Sequence, residues 1–397
     1  MPRHILRGTL VLPEGLLEHG SLVVEDGLIA AAGEFRGQPT QDLGDCFIAP
    51  GFIDLHVHGI AGADTMAAGD GSLAVMARAL ARHGVTAFLP TTVTAGLGTL
   101  AAVMRDVDRY MGRQEKEGLP GARVLGVHLE GPWISPEFKG AQNGKYILEP
   151  TGESLMRLLA SPGAGAVRIV SLAPELPGAE ECIAVLRRHG IKVSMGHTGA
   201  TYEEALRAVD LGATGVTHCF NAMTGLHHRA PGVAGAALLA ETLTAELIAD
   251  GIHVHPAVMR LLIRARGREK VILVSDAVAA ADLPEGHGLL GEREIRVRHG
   301  RASLADGTLA GSVLTLDQAV RNLVRWCAVP LADAVCMAAA APAAAIGLDG
   351  RKGCIRAGYD ADLVVLDRDL QPVRVFVGGR QIFLPPAGKG AGFRILE

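Results

Sequence analysis

Residues 50–59 of this 397-residue chain read Pro-Gly-Phe-Ile-Asp-Leu-His-Val-His-Gly. A mostly apolar run from Phe52 to Leu55 leads into two histidines with one residue between them. On a β-strand, residues two apart point to the same face, so His56 and His58 can both reach one ion at the end of the strand. Two histidines with this spacing, taken alone, are more often unrelated surface residues than metal ligands. Its place directly after an apolar run favours a metal site.

Seven further segments repeat this layout of a short, β-branched run that ends in a polar turn and leads towards a stretch with helical spacing. Counted after residues 51–58, they are 85–94, 123–130, 167–173, 192–197, 215–220, 246–250 and 271–276. Repeated βα units require parallel strands joined by crossover helices. Eight of them predict an α/β fold in which the strands close into a (β/α)8 TIM-like barrel.

The two ends of the chain have a different texture from the middle. Both contain short apolar runs that alternate with turns rich in glycine and aspartate, which is typical of antiparallel strands. We therefore predict a small β-sandwich domain built from both termini, residues 1–50 plus 350–397. The barrel, residues 51–349, would be inserted between them.

The composition excludes several classes of protein. Apolar residues make up 49% of the chain and charged residues 20%, which supports a buried core and excludes disorder. The net charge of −4, without a Lys/Arg run, indicates no nucleic-acid and no membrane partner. An N-terminus without the layout of a signal peptide predicts a cytoplasmic location. The six cysteines are scattered, which favours buried thiols over disulfides.

Charged and histidine side chains end four other predicted strands, namely Glu130, His197, His218 and Asp276. Each has an ordinary explanation: a turn residue for Glu130, core histidines for the next two, and a helix N-cap for Asp276. Active sites of such barrels lie at the carboxyl ends of the strands, where all these residues recur. The pattern predicts a metal centre, in which a carboxylate with two oxygens, such as that of Glu130, can bridge two ions. Asp276 would be the general base and then the general acid.

A resemblance to a known family rests on several motifs in a fixed order. Residues 50–59 resemble the first motif of the amidohydrolase superfamily, and no Ser-containing GxSxG turn follows a strand, which argues against a serine hydrolase. The remaining motifs resemble the branch that deacetylates N-acetylglucosamine 6-phosphate. They are His128-Leu-Glu-Gly-Pro, Gly196-His-Thr-Gly-Ala, Thr217-His-Cys-Phe-Asn-Ala-Met, Ala249-Asp-Gly-Ile-His, Val274-Ser-Asp-Ala, Gly307-Thr-Leu-Ala-Gly-Ser and Ala357-Gly-Tyr-Asp-Ala-Asp-Leu-Val.

This resemblance implies hydrolysis of an acetamido group, yielding glucosamine 6-phosphate and acetate in amino-sugar catabolism. It implies one or two divalent ions per subunit, most commonly zinc, with iron or another ion as alternatives. By the match of motifs, Glu130, His197 and His218 are the principal ligands, and His56 and His58 are the pair for a second ion. Asp276 matches the catalytic acid and base, which accepts a proton from the attacking water.

The resemblance also implies a set of substrate contacts. Arg229 matches a phosphate-binding arginine that reaches over from the neighbouring subunit, which implies a homodimer. The other matching positions are Ala141, Gln142, Asn221, Ala222, Asp250, His253, Leu309, Ala310 and Gly311.

Two positions depart from the family pattern and leave alternatives open. Ala230 stands where the family usually has Glu, and Gln142 stands where it usually has His; glutamine can donate a hydrogen bond but cannot carry a charge. A related substrate, such as the galactosamine epimer, is therefore an alternative. A cyclic amidase or deaminase often uses a carboxylated lysine on the fourth strand, but residues 167–173 contain no lysine. A non-catalytic binding protein is the remaining alternative.

Overall fold

The structure is a computed structural model, and it describes residues 3–34, 39–67 and 69–385. Residues 1–2, 35–38 and 386–397 of the predicted terminal domain lie outside this part of the chain.

The strands are β1 (His4–Leu12), β2 (Gly15–Glu25), β3 (Leu28–Gly33), β4 (Gln41–Pro50), β5 (Phe52–Val57), β6 (Gly59–Ile60), β7 (Ala63–Asp64), β8 (Val85–Thr92), β9 (Arg123–Val124), β10 (Val127–Glu130), β11 (Val167–Leu172), β12 (Lys192–Met195), β13 (Ala213–Val216), β14 (Thr244–Leu247), β15 (Val271–Leu273), β16 (Gly286–Leu290), β17 (Arg293–Arg298), β18 (Arg301–Ser303), β19 (Leu363–Leu366), β20 (Pro372–Val377) and β21 (Arg380–Phe383). The helices are α1 (Asp70–Arg82), α2 (Leu97–Glu117), α3 (Gly152–Leu159), α4 (Ala179–Arg188), α5 (Tyr202–Leu211), α6 (Gly232–Leu239), α7 (Pro256–Arg266), α8 (Leu316–Cys327), α9 (Leu331–Ala338) and α10 (Ala340–Ala345).

Eight parallel strands form the predicted barrel. Their order is β5, β8, β10, β11, β12, β13, β14 and β15. The sheet closes just beyond β15, where the backbone N–H of Asp276 donates to the carbonyl of His56 at 2.8 Å and that of His58 donates to Ala277 at 2.8 Å. This closure places Asp276 directly beside the two histidines that follow β5. The prediction of a (β/α)8 barrel is confirmed.

Apolar runs form the buried strands of the barrel, and capping residues set the ends of its helices. Parallel strands are covered on both faces, and every residue of β5 and β8 is buried. Helix α5 shows how local signals set a boundary: Thr201 and Glu204 exchange hydrogen bonds in a capping box, and Gly212 ends the helix in a left-handed conformation. Such helices cover the barrel, so that the ends of its strands are held on a rigid frame.

Three predicted strand segments extend at least three residues beyond the strands that form. Residues 215–220, 246–250 and 271–276 were expected to be extended, but β13 ends at Val216, β14 at Leu247 and β15 at Leu273. The backbone turns after β13, where His218 and Phe220 have positive φ angles of 30° and 78°. The polar ends of these segments therefore belong to the loops at the barrel mouth.

Both termini combine into one seven-stranded sheet, in the order β21, β20, β19, β4, β1, β2 and β3. Strand β4 from the N-terminal part pairs antiparallel with β19 from the C-terminal part. This sheet fits the predicted small β-sandwich domain. The domain limits near residues 50 and 350 stay a prediction.

A three-stranded antiparallel sheet, β16 to β18, is inserted after the last barrel strand. This sheet was not predicted from the sequence, because its strands are short and six of their fourteen residues are exposed. Its buried side, which includes Ile295 and Val297, packs with Val93 and Val278 next to the barrel mouth. In the part of the chain that the structure describes, no helix is long and apolar enough to cross a membrane.

Candidate metal centre and active site

Three of the predicted metal ligands meet at the carboxyl ends of β10, β12 and β13. Oε1 of Glu130 lies 3.1 Å from Nε2 of His197 and 2.9 Å from Nε2 of His218. The two imidazole nitrogens are 3.2 Å apart. All three residues are buried, and their ligand atoms are close enough together to bind one ion.

The two histidines after β5 form a second group on the other side of Glu130. Nε2 of His56 lies 3.3 Å from Nε2 of His58, which lies 3.4 Å from Oε2 of Glu130. Oδ1 of Asp276 is 3.2 Å from Nε2 of His58. Glu130 therefore stands between the two groups, and Asp276 adjoins the second.

Three of these residues have an unusual backbone conformation. The φ angles of His197, His218 and Asp276 are 50°, 30° and 48°. Residues other than glycine rarely adopt this left-handed region, and such strain is concentrated at functional sites. Each of the three follows the end of its strand, where the turn aims its side chain at the cluster.

The other ring nitrogens show which atoms can bind a metal. Nδ1 of His56 lies 2.9 Å from Oε2 of Glu246, Nδ1 of His58 lies 3.1 Å from the carbonyl of Thr91, and Nδ1 of His197 lies 2.9 Å from that of Phe138. Because these oxygens only accept hydrogen bonds, the protons reside on Nδ1. The lone pairs of Nε2 then face the cluster, as they do in metal-binding histidines.

The donor set fits divalent metal ions. Unprotonated nitrogens and carboxylate oxygens at 2.9 to 3.5 Å from one another would repel without a positive charge between them. Tetrahedral ligands about 2.0–2.1 Å from zinc would lie about 3.3 Å apart, close to these separations. Two groups have the necessary proximity, namely His56 with His58 and Glu130, and Glu130 with His197 and His218.

A third group of nearby ligand types, His56 with His128 and Glu246, is explained by hydrogen bonds instead. The ring nitrogens of His128 contact the carbonyl of Leu55 at 3.0 Å and the hydroxyl of Ser171 at 2.7 Å. Burial lowers the pKa of His128 to about 4, so this imidazole is neutral.

The charges of the cluster favour a bound cation. Burial alone would lower the pKa of His56, but without a metal ion the carboxylates of Glu130, Glu246 and Asp276 outweigh it and raise that pKa to about 10, so a second proton on this ring supplies the positive charge that a metal ion would replace. Burial raises the pKa of Asp276, yet the neighbouring histidines outweigh this effect and lower it to about 2. In the same way the pKa of Glu130 falls well below its usual value. Both carboxyl groups are therefore ionised at neutral pH.

The cluster lies at the base of a cleft of about 400 Å³. The structure brings seven of the predicted substrate contacts to its walls, namely Ala141, Gln142, Asn221, Ala222, His253, Leu309 and Gly311. Ala310 is fully buried beneath them. Asp250 holds His253 in place, because its Oδ2 accepts a hydrogen bond from Nδ1 of that histidine at 2.6 Å.

Arg229 lies apart from this cleft in the single chain. It is exposed, and its Nη1 lies 2.7 Å from Nε2 of His228. No arginine or lysine is among the cleft residues in the described part of the chain. An anionic substrate group would therefore have to obtain a guanidinium partner from elsewhere.

The contact of Glu246 with His56 was not predicted from the sequence. This buried glutamate lies inside β14, and only its place in a predicted strand was used. A carboxylate within a buried strand needs a partner to offset its desolvation, which was the available signal.

Comparisons with known proteins extend over nearly the whole chain. The sequence model of the amidohydrolase family matches residues 47–382. N-acetylgalactosamine-6-phosphate deacetylase from Escherichia coli O157:H7 is 40% identical over 378 residues, which cover 95% of this chain and 98% of that protein. N-acetylglucosamine-6-phosphate deacetylase from Vibrio furnissii is 38% identical over 385 residues, which cover 96% of this chain and 95% of that protein.

A solved structure has the same fold. It is an Asp-to-Ala mutant of N-acetyl-D-glucosamine-6-phosphate deacetylase from Mycobacterium smegmatis in complex with N-acetyl-D-glucosamine-6-phosphate. The TM-score is 0.90 at 36% sequence identity, with 96% of this chain and 99% of that chain covered.

Proposed function

This chain belongs to the amidohydrolase family, and we propose that it hydrolyses the acetamido group of N-acetyl-D-glucosamine 6-phosphate, yielding D-glucosamine 6-phosphate and acetate. The observation that carries the proposal is the position of Glu130 between two histidine pairs, with Asp276 beside one of them. The names of relatives that are 38% and 40% identical over almost their full length support the substrate class.

The metal ligands follow from the two groups. Glu130, His197 and His218 would hold one divalent ion, and His56 and His58 would hold a second together with Glu130. When bound, such an ion lowers the pKa of a water molecule and polarises a carbonyl oxygen. We propose zinc, although imidazole and carboxylate ligands also suit iron.

Asp276 is placed to move the proton that the reaction transfers. Its carboxylate is ionised and lines the cleft, so it can accept a proton from the attacking water. The water oxygen forms a bond to the acetyl carbon, and the C–N bond then breaks. Asp276 returns the proton to the departing nitrogen, and the second proton of the water also passes from the acetic acid to the amine, so that acetate and a protonated amine result.

We propose that His253 contacts the acetyl group. Because Nδ1 is engaged by Asp250, Nε2 is the ring nitrogen left for a substrate. Its place among the cleft residues supports a role in positioning the carbonyl.

The phosphate of the proposed substrate requires a cationic partner, which a second subunit could supply. A guanidinium matches a phosphate in both charge and geometry, and the described cleft contains no arginine or lysine. We propose a homodimer in which Arg229 of each subunit completes the site of the other. Asn221 and Ala222, which line the cleft, would contact the same phosphate.

The galactosamine epimer is a second candidate substrate. It is favoured by the name of the relative that is 40% identical. The predicted cytoplasmic location stays a prediction.

Acetate release separates these candidates. Metal-loaded protein should be given N-acetylglucosamine 6-phosphate, its galactosamine epimer, and N-acetylglucosamine without phosphate. We expect turnover of the first to exceed that of the second, and little turnover of the third. Faster release from the epimer would assign the protein to the second candidate. No release from any of them, with metal bound, would refute the proposed activity.

A further inference from the structure

Gln142 lines the cleft, yet both ends of its side-chain amide are bonded to the protein. Nε2 donates a hydrogen bond to Oε2 of Glu130 at 2.5 Å. Oε1 accepts one from the backbone N–H of Thr94 at 2.7 Å. Gln142 is only 4% exposed. Its hydrogen-bonding groups are thus committed to strand ends and offer little to a substrate.

The chemistry of its partners fixes the orientation of this amide. The backbone N–H of Thr94 can only donate, so Oε1 of Gln142 must face it, and Nε2, which can only donate, then faces Oε2 of Glu130. Rotating the amide by 180° would place oxygen against carboxylate and N–H against N–H. Only one orientation of the amide satisfies both hydrogen bonds. In that orientation Oε2 of Glu130 accepts a hydrogen bond from Nε2 of Gln142, whose position is fixed.

The loop that carries Gln142 is held by the inserted sheet. Arg293, the first residue of β17, donates from Nη1 to the carbonyl of Ala141 at 3.0 Å and to that of Gln142 at 3.4 Å. The backbone N–H of Gln142 donates to the carbonyl of Lys139 at 2.9 Å. The side chain therefore starts from an anchored backbone.

We propose that Gln142 is a positioning residue for the metal centre, which fixes the carboxylate of Glu130, and is not a substrate contact. Its hydrogen bond falls on Oε2, the oxygen that lies 3.4 Å from Nε2 of His58. The effect is therefore largest on the ion that His56, His58 and Glu130 would share. This inference rests on the proposed metal centre but not on the identity of the substrate.

The test is metal affinity, measured without substrate by competition with a chromophoric chelator for zinc. Loss of a residue that orients a metal ligand typically weakens binding by roughly 10–100-fold, and we expect this for Gln142→Ala. Gln142→Glu should be weaker still, because it sets a second carboxylate against Glu130. Gln142→His brings back a donor and should bind zinc more tightly than either. Asn143→Ala, on the same loop, is the control and should bind like the wild type.

Steady-state kinetics on the better amino-sugar phosphate provide the second measurement. A positioning role predicts a lower kcat with KM nearly unchanged. Wild-type zinc affinity together with a raised KM in Gln142→Ala would overturn the inference and make Gln142 a substrate contact. If Gln142→Ala does not fold, zinc affinity of Gln142→Glu, whose side chain has the same size, decides the matter. If none of the three tested compounds releases acetate, the zinc affinities still test the proposed role of Gln142, because they are measured without substrate.

Discussion

Nδ1 of His56 donates a hydrogen bond to Oε2 of Glu246 at 2.9 Å, and the same oxygen accepts the backbone N–H of His218 at 3.0 Å. One carboxylate on β14 thus supports residues of both proposed metal positions. It keeps the proton of His56 on Nδ1, so that Nε2 faces the cluster. A charged group beneath the ligands also favours the cations above it.

We predict that Glu246→Gln weakens zinc binding by roughly 10–100-fold, because the neutral amide loses the charge that polarises His56. Chelator competition on substrate-free protein measures this change. Glu241→Gln, an exposed carboxylate just before β14, is the matched control. Equal zinc affinity in the two variants would show that Glu246 has no part in metal binding.

The site residues at the strand ends could be predicted from the sequence because the barrel topology alone brings them together. Parallel strands put all their carboxyl ends on one face, so the position of Glu130 or Asp276 after an apolar run was sufficient. The sharing of Glu130 between two groups also follows from this topology, since β10 lies between β5 and β12 in the order of the barrel.

Other parts of the site depend on contacts that no local pattern encodes. The amide of Gln142 contacts Glu130 from a loop that is held in part by Arg293, more than a hundred residues later in the chain. The direction of His197 depends on a φ of 50°, which a strand pattern does not indicate. The proposed role of Arg229 depends on a contact with a second chain, and the fold of a single chain does not give that contact.

Asp276→Asn is expected to remove the proton-transfer group while the proposed ligands stay in place. General acid–base catalysis typically raises a reaction rate by roughly 10²–10⁴-fold, so kcat should fall at least roughly 10²-fold. Zinc content, measured by elemental analysis, should stay close to that of the wild type. Asp210→Asn, at an exposed position on α5, should leave both quantities unchanged. Near-normal kcat in Asp276→Asn would contradict the proposed role.

The proposed exchange of Arg229 between subunits can be tested by complementation. Arg229→Ala and Asp276→Asn should each be nearly inactive alone, since one lacks the phosphate contact and the other lacks the acid and base. In a mixed dimer, the Asp276→Asn subunit supplies its intact Arg229 to the site of the other subunit. Random mixing of a two-fold dimer should restore about a quarter of wild-type activity. Activity no higher than the mean of the two parents would place Arg229 outside its neighbour's site.

His83 forms a partly buried ionic cluster at the end of α1, away from the metal centre. Its Nδ1 lies 3.2 Å from Oδ1 of Asp317, and its Nε2 lies 3.5 Å from Oδ1 of Asp282. Arg321 pairs with Asp317, and Arg82 pairs with Asp282. Burial by itself lowers the pKa of His83, but the two aspartates outweigh it and raise that pKa to about 9.

This raised pKa predicts a loss of stability at alkaline pH. A histidine that is more basic in the folded chain than in the unfolded one stabilises the fold fully below about pH 6.5. That contribution decreases as the pH rises from there and is lost above about pH 9, because the folded protein then gives up the same proton. Each pH unit within this window of about 2.5 units corresponds to about 1.4 kcal/mol, so the free energy of unfolding should fall by no more than about 3.5 kcal/mol. Urea unfolding of metal-loaded wild type and His83→Gln at several pH values measures the difference. The advantage of the wild type should shrink as the pH rises from 6.5 to 9, whereas a constant difference would mean that His83 does not carry the charge assigned to it.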